Sequence, residues 1–213
     1  MIYEFPDPAA PLRQGDIFPR MPRVDISLAN LVVMGNGGET DETSWDELGR
    51  EATKFTIIAG VTQVPAVIIT QDCDAIRAPD VTLCEIKPFA QFFSTALPST
   101  PKKWTRFLQQ QTINNWKWFY FPASDRLGFA ERMVADFLST IRVPREELEA
   151  LRTTRSGRLD ATADEHFRER LSDFYRRYPY NEWYPFTREE FEAYCEGLDA
   201  DEMARVEPYP YQR

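Results

Sequence analysis

The sequence predicts an α+β chain: a small, strongly curved antiparallel β-sheet or barrel with one inserted helix, followed by C-terminal helices. Three observations lead there. Short runs of β-branched residues bounded by Gly and Pro recur between residues 15 and 143 and do not alternate regularly with helices, which disfavours a parallel α/β sheet. A helical period appears once inside that region, after Thr100-Pro101. From Pro144 onward the apolar residues recur at helical spacing and the turn residues become helix caps. The expected organisation is a β-rich domain over residues 1–143 with a helical extension over 144–213. A length of 213 residues with 43% hydrophobic content suffices for such a core with an annex.

The elements follow in order. Residues 1–12 carry three prolines and little periodicity, and read as an arm lying across the surface. "QGDIFPRM" is a short strand that Pro19 and Pro22 restrict to an edge or an irregular course. "DISLANLVVMG" reads as a strand and "GNGGETDETSWDELGRE" as a long polar loop. "TKFTIIAGV" and "PAVIITQD" are the next strands, and "VTLCEIKP" alternates as a strand covered on both faces. Thr100 and Pro101 open a helix on which Trp104, Phe107, Leu108 and Gln111 follow. "KWFYFPA" and "RMVADFLSTIRV" complete the strands. Pro144 precedes the short helix "REELEAL". Thr162 with Glu165, and Thr187 with Glu190, mark two further helix starts, the first leading into Phe167, Leu171, Phe174, Tyr175 and Tyr178, the second flanked by Phe186 and Phe191.

A net charge of -9 and a pI near 4.8 oppose broad nucleic-acid binding, and residues 189–207 hold eight acids against one base, an acidic surface. Cys73, Cys84 and Cys195 fit neither a disulfide framework nor a zinc spacing, so reduced thiols and a cytoplasmic setting are expected. No apolar run reaches membrane-spanning length, and no membrane partner is expected.

Candidate chemistry centres on "AVIITQDCDAI". Asp72, Cys73 and Asp74 follow a buried strand, where side chains are held rigidly beside a cleft. Two readings stand together: Cys73 packs as a small hydrophobe while an Asp caps the next turn, or Asp72 and Asp74 join Asp16 and Glu85 around a divalent ion, with Lys87 or Arg77 stabilising developing negative charge. The flanking carboxylates oppose a thiolate nucleophile at Cys73. His166, the single histidine, reads as a solvated helix residue. The run Arg142, Arg145, Arg152, Arg155 and Arg158 is either a phosphate-reading patch or a solvated linker. "NNWKWFYFP" is either a base-stacking platform or a buried strand.

"QGDIF", "VPAVIITQD" and "VTLCEIKP" together resemble the PemK/MazF-like small barrels, over residues 13–90 with weaker support at 134–143. Gly15, Asp16 and Ile17 match the family's opening strand, and Pro65, Ala66 and Val67 its second. The resemblance implies an SH3-like barrel and RNA cleavage by an arginine before that proline and a threonine after the later strand. Val64 and Lys87 stand in those places here, so the scaffold is matched without the ribonuclease residues. The chain is also similar to bacterial proteins joining a "QGDI…TQDCD" barrel to a helical tail, here "RLDATADEHFRERLSDFYRR" at 158–177, which implies that Asp72-Cys73-Asp74 belongs to a signature. The expected function is an interaction module in a toxin–antitoxin or phage-defence setting; the alternative is a metal-dependent hydrolase or endoribonuclease using Asp72, Cys73, Asp74 and Lys87. Gly15, Asp16, Gln71, Arg77, Arg152 and Arg155 are the candidate binding residues. A protein partner is expected, with RNA and self-association as further options.

Overall fold

The computed structural model describes residues 2–35, 37–51, 55–93, 97, 98, 100–176 and 186–213. In chain order the strands and helices are β1 (Tyr3–Glu4), β2 (Asp16–Asp25), β3 (Leu31–Met34), β4 (Thr40–Thr43), α1 (Trp45–Glu51), β5 (Thr56–Ile58), β6 (Gly60–Ile68), α2 (Asp72–Ala75), β7 (Asp80–Pro88), α3 (Phe89–Phe92), α4 (Pro101–Asn114), β8 (Trp118–Phe121), β9 (Met133–Pro144), α5 (Arg145–Ala150), β10 (Gly157–Leu159), α6 (Ala161–Tyr175), α7 (Arg188–Glu196) and α8 (Ala200–Met203). The chain divides into two compact units, residues 1–174 and 175–213.

The first unit is α+β, with antiparallel sheets and several helices. Seven strands form a sheet in the order β1-β10-β2-β6-β7-β9-β8, and β4-β3-β5 form a second, smaller one. All of their pairings are antiparallel. Among the described residues no backbone ladder joins the terminal strands β1 and β8, so the sheet is not a closed barrel. It is nonetheless curled enough for those ends to meet through side chains. The Tyr3 and Phe121 rings stack at 6.2 Å, and the Tyr3 hydroxyl donates to the Pro122 carbonyl at 2.7 Å.

The central strands are apolar on both faces because both are covered. Ile17, Val67, Cys84 and Ile86 pack inside the curl with Phe121, Phe137 and the α6 residues Phe167, Leu171 and Phe174. Phe18, Ala66, Ile68 and Leu83 turn to the other side, against Leu12 and Leu148. Phe89, Trp104, Trp118 and Val134 form a third, mostly aromatic cluster. "NNWKWFYFP" is therefore largely core: Trp118 and Phe121 are buried, while Trp116 is exposed.

Several local expectations are revised. β2 starts between β10 and β6, and takes the expected edge or irregular course only from Phe18 onward, where the prolines stand. Beyond Ile17 only β6 pairs with it, and its register shifts between Phe18 and Met21, so Pro19 and Pro22 fall where missing amide donors cost little. The polar loop at 35–51 contains β4 and α1, opened by Ser44, whose hydroxyl and amide bond to Glu47 Oε2 at 3.1 and 3.0 Å. Helix α6 is capped by Asp160, whose Oδ1 accepts the Ala163 amide at 2.8 Å, two residues before the expected Thr162. Tyr175 is exposed and Tyr178 lies outside the described residues. The linker reading of 152–158 also changes, since Gly157–Leu159 is a strand of the main sheet.

In the second unit α7 carries the expected capping box, with Thr187 and Glu190 bonded reciprocally. Asp199 and Glu202 repeat it at α8.

Replacing Tyr3 with Phe removes the hydroxyl that satisfies Pro122 while keeping the ring stack. Urea unfolding is expected to show a loss of about 1 kcal/mol, and Tyr3→Ala several times that.

Candidate functional site

Gly15 takes a left-handed backbone, φ +81°, which lets residues 13–16 turn back on themselves. The turn sends four groups to three partners. The Gln14 side chain donates to the Ile69 carbonyl at 2.7 Å, and its amide donates to Asp72 Oδ1 at 2.8 Å. The Arg13 amide donates to Asp16 Oδ2 at 2.8 Å, while the Arg13 guanidinium reaches Asp72 Oδ2 at 3.0 Å. "QGD" and "QDCD", some sixty residues apart, are thereby joined at one place.

Asp16 is fully buried. A carboxylate without water needs donors at both oxygens, and two buried arginines supply them. Arg158 donates from Nε to Oδ1 at 2.5 Å and from Nη2 to Oδ2 at 3.2 Å; Arg155 reaches Oδ2 at 2.9 Å. Arg155 also donates to the carbonyls of Asp7, Ala10 and Pro11, and Arg158 to that of Pro11. These two arginines pin the N-terminal arm and are not available to a phosphate. Arg152 pairs with Glu149 at 3.3 Å and Arg142 with Asp80, so most of the arginine run is committed internally.

"QDCD" opens the single helical turn α2, with Gln71 at its N-cap. Besides Gln14 and Arg13, Asp72 accepts from Arg168 of α6 at 2.7 Å, and the same guanidinium group holds Asp164 at 2.7 Å. Burial opposes ionisation of Asp72, but the Gln14 amide and the two arginines outweigh it and hold the carboxyl below its ordinary value. Asp164 moves the other way: burial raises it, the Asp72 charge adds to that, and its buried Oδ1 has no hydrogen-bond partner among the described residues. A cleft of about 240 Å³ opens here, lined by Arg13, Arg158, Asp164 and Arg168 among others. Cys73 is an exposed free thiol, and Asp74 faces the exposed Arg77 at 3.4 Å.

Lys87 belongs to a second cluster. Its Nζ lies 2.8 Å from Asp136 Oδ2, 2.7 Å from Ser139 Oγ and 3.5 Å from Glu85 Oε2; Arg23 holds Glu85 Oε1 at 2.8 Å. The β7–β9 register shifts between Cys84, opposite Thr140, and Glu85, opposite Asp136. The shift bulges residues 137–139 out of the ladder and turns Ser139 back on to Asp136 at 2.9 Å.

The four acids proposed to share a metal are thus dispersed: Asp16 to Arg155 and Arg158, Asp72 to Arg13 and Arg168, Asp74 to Arg77, and Glu85 to Arg23 and Lys87. Among the described residues no three His, Cys, Asp or Glu side chains form a metal-holding group. Sequence reasoning assigned no role to Arg13, Gln14, Asp164 or Arg168, although Gln14 stands in "QGDIF" and Asp164 and Arg168 in the similar tail at 158–177. Asp136 and Ser139 carry no local signal. Neither a family model nor a curated protein matches the chain.

Asp16→Ala leaves the buried Arg155 guanidinium without its counter-charge and Arg158 with only the half-exposed Glu4 carboxylate at 3.7 Å, and is expected to cost about 3–5 kcal/mol in denaturant unfolding. For Asp72 the folded carboxyl lies below its unfolded value, near 3.9, so its contribution is present above that pH and lost as pH falls through the folded value. Asp72→Asn is expected to be less stable than wild type near neutrality, with the gap closing in strong acid, as thermal unfolding across pH will show.

Proposed function

We propose that the protein is a non-hydrolytic interaction module, a divergent PemK/MazF-type scaffold that engages a protein partner in a bacterial toxin–antitoxin or phage-defence setting. The observation that carries this reading is a row of uncovered apolar side chains at the outer ends of β2 and β6. Val24 and Val61 are cross-strand partners, 51% and 60% exposed. Ile26, Leu28 and Ile58, next to them along the chain, are exposed as well. Isolated exposed apolar residues are ordinary, but a cross-strand pair with apolar flanks has the composition of an interface. The curl that brings Tyr3 to Phe121 supports the small-barrel half of the reading.

Two further observations support binding over catalysis. The carboxylates of the signature are tied to arginines and a backbone amide, the arrangement of a structural clamp. The basic run that offered an RNA-binding face has Arg155 and Arg158 enclosed, and the chain's net charge repels a phosphate backbone.

The test pairs two assays. Val24→Glu with Val61→Glu is expected to reduce capture of a defined cellular protein, or self-association measured by solution mass, by about tenfold or more, while Asp72→Asn leaves it unchanged. Mixed RNA incubated with the wild-type protein and Mg²⁺ or Mn²⁺ is expected to remain intact. Cleavage that disappears in Asp72→Asn would instead establish the hydrolase reading.

A further inference from the structure

A groove of about 770 Å³ runs between β8 and α6. Three consecutive residues of β8, Trp118, Phe119 and Tyr120, line it. Side chains alternate faces along a strand, so a cavity touching three in a row follows the strand's edge. β8 ends the sheet order, and among the described residues its only strand partner is β9. The Phe137 amide donates to the Lys117 carbonyl at 3.0 Å. By the alternation of antiparallel ladders, residues 117, 119 and 121 therefore face β9, while Trp118 and Tyr120 turn their amide and carbonyl groups outward. The Trp118 carbonyl is held by Arg170 Nε at 3.1 Å, and the Pro122 carbonyl by Tyr3. Between these two closed points the backbone of Tyr120 opens on to the groove.

The facing wall is one side of α6. It carries Glu169 and Asp173, and Asp160 stands at the head of the helix. Arg170, the one arginine on the wall among the described residues, is directed at the carbonyls of Trp118 and Asn115. The lining is thus aromatic along the strand and predominantly acidic along the helix. Trp118 itself is 2% exposed, with its ring in the Phe89–Trp104 cluster and, among the described residues, no acceptor for its indole N–H.

We propose that this groove binds an extended, lysine- or arginine-bearing segment of a partner protein by strand addition to β8. Backbone pairing at Tyr120 supplies the register, and Glu169, Asp173 and Asp160 select basic side chains. The proposal rests on the reading of the chain as an interaction module but uses different residues from the Val24–Val61 row. Failure here therefore leaves the effect of those two substitutions to be read separately.

The probe is a fluorescein-labelled heptapeptide alternating lysine and valine, titrated by polarisation against the full chain at about 0.15 M salt. Binding is expected to be at least about tenfold tighter than for the same peptide with glutamate in place of lysine, and than for one N-methylated at alternate residues. Glu169→Lys with Asp173→Lys, both on the exposed side of α6, is expected to weaken it about tenfold, and the Tyr120 amide to exchange more slowly in the complex. Three results would overturn the proposal: no binding to wild type up to about 1 mM, equal binding of the N-methylated peptide, or full displacement by an equal concentration of lysine amide. The last two would make the groove an amine pocket and not a strand-addition site.

Discussion

The buried ion network around Asp16 is the constraint on which the first unit depends. A carboxylate removed from water is tolerated only when every lone pair has a donor, and here the donors come from opposite ends of the domain. Asp16 and Arg158 are also Cα partners in the β2–β10 ladder, so the charge pair and the strand register are the same fact. A slip of one residue would turn Asp16 to the other face of the sheet and deprive both arginines of its carboxylate. The arm at 7–11 is set by the same groups, through its carbonyls on Arg155 and Arg158. A three-residue strand such as β10 has little intrinsic stability, and the ion network accounts for its presence in the sheet.

The "QDCD" turn is the outer layer of that network. Residues 13–16 hand one group inward and one outward: the Arg13 amide to Asp16 and its guanidinium to Asp72, the Gln14 side chain to Ile69 and its amide to Asp72. The end of β6 is thereby fastened to the start of β2, and Arg168 fastens α6 to both. Three motifs that stand apart in the chain meet because each supplies charge that another lacks. Asp164 is the exception. Its buried, unbonded Oδ1 beside the Asp72 charge is the least satisfied polar atom of the cluster, relieved on one side only by Arg168.

What was legible in the sequence is what local chemistry decides. Alternation along "VTLCEIKP" separated Val81 and Leu83 from Cys84 and Ile86, because each side meets its own apolar cluster. The Thr187–Glu190 box was legible because it is complete within four residues. The Ser44–Glu47 pair obeys the same rule, and its misreading as loop came from the glycines before it. β10 was not legible, since Gly-Arg-Leu has no strand pattern and is held by Asp16, 142 residues away. The division of labour among the arginines was hidden for the same reason. Arg152, Arg155 and Arg158 look alike in sequence, yet burial separates a surface pair from two enclosed ones. The bulge that gathers Lys87, Asp136 and Ser139 depends on a register shift between strands about fifty residues apart, which no short window contains.

Helix α6 connects these features, since its three faces do different work. Phe167, Leu171 and Phe174 enter the core of the curl and anchor the helix. Asp164 and Arg168, one turn apart, reach the Asp72 cluster on one flank. His166, Glu169, Arg170 and Asp173 line the groove along β8 on the other. An open sheet edge invites uncontrolled pairing unless something stands over it. Arg170 already occupies one edge carbonyl, and Tyr3 takes the Pro122 carbonyl just past the strand's end, which limits any incoming strand to a short register between them. Because the helix that guards this edge is fastened by Arg168 to the "QGD" and "QDCD" segments, those segments help set the geometry of the groove without lining it. On the strand-addition proposal, that division assigns the acidic motif to positioning and leaves recognition to the aromatic strand and the carboxylates of α6.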